Sequence, residues 1–371
     1  MKQFDPSNAL ENYLVEQAII KKIPLNGTFE LLPLCNMDCK MCYIRITKEE
    51  QEKQGKIMPA SEWLRVALEA SKKGTLFILI TGGEPLLHPE FKEIYTGIAK
   101  MGIYITINTN GTLINEEIAD LFKQYPPRRV NITLYGTSDE TYKNLCNNPK
   151  GFTQVMNGIK LLKERNIQIK LNATIGKVNH HDFDSITKLA DSLRLPIEIP
   201  FYLFPKNRKT CKQNDENRLS PKEAAKLRFN IVRHSFSNND ERLKQDALNT
   251  LEKIEMMTRE GMTVPKGFWC ASGVKSFWVN WKGNVTSCGM LENPCFNIKT
   301  MSFEELWDNL LESTNHFQLA EKCFYCKYQL VCGACAANMK AETGKFDGVP
   351  EYVCETMMEY EKILKKFVGV E

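Results

Sequence analysis

The sequence predicts an α/β protein: a partial (β/α)6 TIM-like barrel of parallel strands with a cysteine-rich C-terminal extension. Three observations predict it. From residue 26 to about residue 205, short apolar runs alternate with amphipathic stretches six times, strand then helix. Such alternation implies a parallel sheet with right-handed crossovers, and six units fall short of the eight that close a barrel. Small polar residues recur where those strands end, and parallel α/β folds place their chemistry at the carboxyl ends of the strands. Past about residue 262 the alternation stops, and short strands and dense cysteines take over.

An amphipathic helix is expected over 8–22. "GTFELLPLC" is the first strand and runs into Cys35. The polar "KEEQEKQGK" reads as a loop, and 61–72 as a helix. "TLFILITGG" is a short apolar run ended by glycines, which marks a fully buried strand. "PEFKEIYTGIAKMG" is helical, with its last glycine as a stop signal. "IYITINTNG" is the third strand and "EEIADLFKQY" a helix. "RRVNITLYG" is the fourth strand, followed by helices near Asp139 and Phe152. "IQIKLNATIG" is the fifth, "HDFDSITKLADSL" a helix, and "PIEIPFYLF" the sixth strand. Residues 205–218 are polar and basic; the cluster from Lys206 to Lys212 reads as a solvated loop that could guide an acidic peptide. Helices are expected over 221–237 and 240–260. Short strands "SFWVNW" and "NVTSC" then flank the turn "KGN". The domains so predicted are an N-terminal helix (1–25), the barrel (26–235), a helical linker (236–262) and the extension (263–371).

Composition narrows the function. The net charge of +4, from 49 basic and 45 acidic side chains, is too balanced to argue for nucleic acid. No apolar run reaches the roughly 18 residues of a membrane span, and "MKQFDPSNALENYLVEQ" holds no apolar signal core. A cytoplasmic location is expected. Thiols stay reduced there, and an odd count of 13 cysteines fits disulfide pairing poorly. Metal ligation is the better reading.

Cys35, Cys39 and Cys42 form C-x3-C-x2-C in the loop after the first strand. A structural zinc site takes four ligands. A [4Fe–4S] cluster on three thiolates leaves one iron open to a small chelating molecule. On spacing alone, a zinc knuckle with a distant fourth ligand stays open. The other strand ends bear on the choice. The second carries "TGGEP", where Gly82 and Gly83 admit a ligand close to the backbone and Glu84 offers a carboxylate to an amino group; the plainer reading is a strand-to-helix turn. "NTNG" supplies Asn108 and Asn110, the fourth strand Thr133, and the fifth Asn172. A ligand with amino, carboxylate and ribose groups would use them all.

Together these motifs resemble the radical S-adenosylmethionine (SAM) superfamily over about residues 27–205. The resemblance implies that Cys35, Cys39 and Cys42 hold a [4Fe–4S] cluster whose fourth iron is chelated by SAM. It implies that Glu84 binds the SAM amino group and that Thr133 and Asn172 bind its ribose or methionine end. One electron then cleaves SAM, and a 5′-deoxyadenosyl radical abstracts hydrogen from the substrate. The residue before the third cysteine is often aromatic in that family; here it is Met41, and the aromatic stands at Tyr43, which would border adenine.

The C-terminal cysteines read as Cys270, then G-x4-C ending at Cys288, then Cys323-x2-Cys326-x5-Cys332-x2-Cys335, and Cys354. Paired C-x2-C is common zinc spacing, but seven cysteines exceed one zinc site. The order resembles the SPASM extension, over about residues 265–365, an iron–sulfur domain with two auxiliary [4Fe–4S] clusters. The resemblance implies a distal cluster on Cys323, Cys326, Cys332 and Cys354, and a proximal one on Cys270, Cys288 and Cys335. The proximal fourth iron is either open or taken by Cys295. The last pair is x2 where the family usually has x3.

The reading that follows is a peptide-modifying maturase that forms an oxidative cross-link such as a thioether or carbon–carbon bond. About 25 residues before the first strand are too few for a leader-binding domain, so a leader peptide, if bound, is expected to be held by a separate leader-binding protein or by the barrel mouth. A flavodoxin or ferredoxin would donate electrons. The alternatives are a haem precursor or other small molecule as substrate, a sulfatase-maturase-like oxidation, and a non-catalytic zinc or electron-transfer module. Gly289, where sulfatase-maturing relatives carry an aspartate, counts against the second. GGEP and the polar strand ends count against the third. His180 and His181 read as a helix start, Trp278 and Trp281 as packing, and Cys146 and Cys211 as buried hydrophobes.

Overall fold

A computed structural model describes residues 9–205, 215–258, 270–314 and 317–370. The chain opens with α1 (Ala9–Lys21) and β1 (Asn26–Glu30), followed by α2 (Lys48–Gln54), α3 (Ala60–Lys72) and β2 (Phe77–Thr81). Then come α4 (Phe91–Lys100), β3 (Tyr104–Thr109), α5 (Glu116–Gln124), β4 (Arg129–Leu134), α6 (Asp139–Cys146) and α7 (Gly151–Glu164). The barrel part ends with β5 (Ile169–Ala173), α8 (Phe183–Leu193) and β6 (Ile197–Glu198). Two long helices, α9 (Pro221–Ser235) and α10 (Asp240–Met256), lead to β7 (Ser276–Val279), β8 (Asn284–Thr286) and β9 (Phe296–Asn297). Last are α11 (Phe303–Thr314), α12 (Glu321–Phe324), α13 (Ala336–Thr343) and α14 (Glu351–Val368).

The strands form one sheet in the order β6-β5-β4-β3-β2-β1-β7-β8-β9. Pairing is parallel from β6 through β7 and antiparallel for β8 and β9. The sheet is an open, partial barrel with helices against its outer face. Its main core is built from apolar strand residues such as Phe29, Ile80, Ile107 and Ile132, with Trp63, Tyr95 and Phe122 packed on them from α3, α4 and α5. A second, smaller core gathers Ala225 from α9, Ala247 and Ile254 from α10, Tyr328, and Met357, Tyr360 and Leu364 from α14. Helix α9 serves both cores, for Ala224 and Leu227 belong to the first.

Several elements differ from the sequence reading. The "KEEQEKQGK" segment is not a loop: Thr47 and Glu50 form a reciprocal capping box that starts α2. The sixth strand shrinks to two residues, because Pro196 and Pro200 flank it and proline cannot donate to a ladder. Helix α1 spans the expected residues but leaves Leu10, Tyr13 and Ile20 exposed. The short strands past residue 270 join the barrel sheet, with β7 beside β1. Gly27 permits this contact, since a Cβ there would meet Phe277 at 2.7 Å.

Candidate active site

A cavity of about 530 Å³ opens at the carboxyl ends of the parallel strands, within the usual range for small-ligand sites. Cys35, Cys39, Cys42 and Tyr43 reach it from the loop after β1, and Gly82 and Gly83 from the turn after β2. Asn108 and Asn110 come from the end of β3, Thr133 from β4 and Asn172 from β5. One predicted residue does not line it. Glu84 is fully buried beneath the floor, where its carboxylate accepts from Thr109 Oγ1 (2.8 Å), the Asn110 amide (2.8 Å) and the Leu86 amide (3.2 Å). Burial pushes its pKa up to about 7 against those hydrogen bonds.

The glycines have a second neighbour besides the open cavity. The amides of Gly83 and Glu84 donate to the carbonyls of Leu32 (2.8 Å) and Leu34 (2.9 Å), just before Cys35. A Cβ on Gly82 would lie 2.6 Å from the Leu32 oxygen. The GGEP turn therefore anchors the cysteine loop by backbone contact. Asn110 adds side-chain contacts: its amide donates to Asn36 Oδ1 (2.8 Å) and lies 3.7 Å from Cys35 Sγ.

Strand register builds the opposite wall. Asn108, Asn131 and Lys170 sit side by side on β3, β4 and β5, and Thr133, Asn172 and Glu198 on β4, β5 and β6. Asn131 receives Arg129 Nε at 2.9 Å and donates to Asn108 at 2.7 Å, while Lys170 closes on Glu198. Asn131, Lys170 and Glu198 are site residues that the sequence reading misses. The signal is present: Asn131 and Lys170 stand two positions before Thr133 and Asn172, hence on the same strand face. Tyr135 and Tyr202 also line the cavity.

The Cys35 thiol is pushed up by burial and by the nearby Glu84, and Cys39 by a hydrogen bond with Cys146 and by burial. Cys146 is fully buried against Cys39, as its reading as a buried hydrophobe expects. Cys211 and the cluster from Lys206 to Lys212 lie outside the described residues.

In the extension, Cys323, Cys326, Cys332 and Cys354 surround one small apolar pocket of about 40 Å³, closed by Leu319 and Met357. Burial and the neighbouring thiols push Cys323 and Cys354 up to about 11. Cys335, at the start of α13, is pushed up by burial and by Cys270. Cys288 follows β8 and receives the amide of Met290, which reaches the main cavity. Cys295 lines a different pocket with Trp278, Trp281 and Lys282, and none of Cys270, Cys288 and Cys335 lines that pocket. Among the described residues, no group of three Cys, His, Asp or Glu closes in as a single ion's ligand shell would. Three thiols around one cavity mouth and four around one apolar pocket are the soft donor sets that iron–sulfur clusters use. The residues present fit such groups.

Tyr202 stands between the cavity and this region. Its hydroxyl donates to Glu342 (2.6 Å), which also pairs with Arg218, and Arg218 stacks 3.5 Å from the Tyr352 ring.

A parallel partial barrel with a three-thiol loop at its mouth defines a class of SAM-dependent iron–sulfur enzymes. Residues 29–190 match the Radical SAM superfamily; that part of the chain carries a radical SAM domain, whose fold implies a [4Fe–4S] cluster and SAM. The chain is 25% identical over 336 residues to an AdoMet-dependent heme synthase of Methanosarcina barkeri, covering 86% of this chain and 93% of that one. It is 30% identical over 158 residues to the antilisterial bacteriocin subtilosin biosynthesis protein AlbA of Bacillus subtilis, covering 42% of this chain and 34% of that one. Native anSMEcpe with bound AdoMet and Cp18Cys peptide shares the fold at TM-score 0.67 and 19% identity, over 94% of this chain and 98% of that one. No helix among the described residues is long and apolar enough to cross a membrane.

Proposed function

We propose that this radical SAM enzyme oxidatively modifies a peptide or protein, joining two of its residues through a thioether or carbon–carbon bond. One observation carries the substrate reading. Among the described residues lining the cavity, Lys170 is the only cationic side chain, and it is closed against Glu198. A peptide segment can be held by neutral donors and acceptors such as Asn108, Asn131, Thr133, Asn172 and Tyr202. A porphyrin with several carboxylates calls for several free cations. A second reading, a haem precursor as substrate, is favoured by the heme synthase likeness, which extends through both halves of the chain.

In this proposal Cys35, Cys39 and Cys42 hold the SAM-binding cluster. When bound, cluster and SAM supply a 5′-deoxyadenosyl radical that takes hydrogen from the substrate. The backbone of Gly82 and Gly83 and the side chains of Asn108, Asn110, Thr133 and Asn172 position SAM, with Tyr43 beside its adenine. Glu84 acts from below by fixing Thr109 and the Asn110 amide. Cys323, Cys326, Cys332 and Cys354 hold a distal cluster, and Cys270, Cys288 and Cys335 a proximal one. These are the groups able to accept an electron during oxidation. Flavodoxin or ferredoxin is the electron donor, and a separate protein presents the leader peptide.

The test is anaerobic turnover with SAM and reductant in two arms, one with a precursor peptide encoded beside the gene and one with an iron porphyrin bearing propionates. Formation of 5′-deoxyadenosine with loss of two hydrogens from the peptide supports the proposal. Decarboxylation of the porphyrin, with the peptide untouched, overturns it in favour of the second reading.

A further inference from the structure

We propose that Arg228 is the counter-cation of the distal cluster: a positioning residue that holds the Cys332 loop and makes the cluster easier to reduce. The inference rests on the reading of Cys323, Cys326, Cys332 and Cys354 as cluster ligands.

Arg228 projects from α9 into the second core. One terminal nitrogen donates to the Val331 carbonyl at 3.0 Å, one residue before Cys332. The other lies 2.7 Å from Met357 Sδ, and Met357 forms a wall of the four-thiol pocket. The guanidinium carbon lies 4.8 Å from the Phe201 ring centre and 4.4 Å from that of Tyr360. Its charge is therefore wrapped in carbonyl, thioether and aromatic faces. Among the described residues, no carboxylate reaches ion-pair distance of it. The Tyr360 hydroxyl is its largest electrostatic partner and also a hydrogen-bond partner, followed by the Cys332 thiol, with Asp246 on α10 at longer Coulombic range. The other cations nearby are already engaged: Lys327 and Lys365 both pair with Glu361.

A partly desolvated guanidinium without a close carboxylate is costly. Arginine stays charged in such places, so a negative charge within reach is the physical remedy. Four thiolates around an iron–sulfur core carry net negative charge, and reduction adds one more. A fixed cation beside that set favours the reduced, more negative form, for net charge and nearby hydrogen bonds set the potentials of such clusters. Phe201, which covers the guanidinium, adjoins the cavity residues Pro200 and Tyr202. The same cation thus links the wall of the cavity to the distal pocket.

The experiment uses the full chain with Cys35→Ala, Cys39→Ala, Cys42→Ala and Cys288→Ala, which leaves the distal set as the only complete one. Iron and sulfide are counted after reconstitution, and the midpoint potential is read by EPR-monitored titration, with Arg228 intact, as Arg228→Gln and as Arg228→Lys. Expected is a tenfold weaker reduction equilibrium in Arg228→Gln, about 59 mV lower for a one-electron couple, with most of the loss restored in Arg228→Lys. An unmoved potential in Arg228→Gln at full iron content overturns the inference. If Arg228→Gln loses the iron and Arg228→Lys keeps it, the charge is required and the inference stands; if both lose it, the residue is packing and the inference falls. If the Arg228-intact chain binds no cluster, the ligand assignment itself fails.

Discussion

Gly83 and the carbonyl of Leu34 are packed so closely that a Cβ on residue 83 would sit well inside 3.0 Å of the Leu34 backbone. The contact is backbone against backbone, so no rotamer can relieve it. Gly83→Ala should push the Cys35 loop off its anchor. Overpacking of this kind costs about 1–3 kcal/mol. The expected outcome is a lower melting temperature together with loss of iron from the site of Cys35, Cys39 and Cys42, read by iron analysis and by 5′-deoxyadenosine yield.

The extension offers a sharper contrast. Cys354→Ala removes one of four thiols from a shared pocket and should lose a cluster's worth of iron. SAM cleavage without substrate should persist in this variant while product formation fails. Cys295→Ala should leave iron content and activity unchanged, since Cys295 lines the Trp278 pocket instead. Iron loss in Cys295→Ala would make it a ligand.

Asn131 bridges Arg129 and Asn108 at the cavity wall. Asn131→Ala removes both bonds, at about 1 kcal/mol for each net hydrogen bond. If one bond's worth, about 1 kcal/mol, is lost from SAM binding, the KM for SAM should rise roughly fivefold, with kcat much less affected. Steady-state 5′-deoxyadenosine formation against SAM concentration gives the split.

Glu342 neutralises Arg218 and receives the Tyr202 hydroxyl, with both ion-pair side chains 11% exposed. Glu342→Ala strands a largely buried guanidinium and should cost about 3 kcal/mol. Tyr202→Phe should cost only about 1 kcal/mol. Thermal unfolding of the two variants checks the order; equal losses would refute the buried-pair account.

Glu361 accepts from Tyr328 (2.5 Å), Lys327 (2.7 Å) and Lys365 (2.9 Å). Burial works to raise its pKa, but these partners win and hold it at about 2. A carboxyl held below its ordinary value stabilises the fold above that value and loses its contribution as pH falls toward 2. Glu361→Gln should therefore cost about 1–2 kcal/mol at pH 7, discounted for solvent screening of the exposed lysines. The gap between wild type and variant should close on acidification from pH 4.5 to pH 2, read by denaturant unfolding.

What the sequence made legible follows local physics. Cys35, Cys39 and Cys42 were findable because one loop carries all three, and Thr133 and Asn172 because each ends an apolar run. Helix α2 was equally findable, for Thr47 and Glu50 spell its capping box. Glu84 shows where local reading stops: its carboxylate faces Thr109 and Asn110, and that depends on how β2 packs beside β3. The pairing of β7 with β1 joins residues some 250 positions apart, and no pattern in either strand announces its neighbour. Arg228 is silent in the sequence for the same reason. Its setting is made by Phe201, Val331 and the α14 residues Met357 and Tyr360, three segments that meet only in the folded chain.

The run of β7 along β1 means that the two halves of this enzyme share a seam of main-chain hydrogen bonds beside the strand that leads to Cys35. A chain cut near residue 262 would not release an independent barrel. It would bare one side of β1, an unprotected strand edge of the kind that recruits other chains and aggregates. The cysteine-rich half thus acts as a built-in guard against self-association of the barrel half.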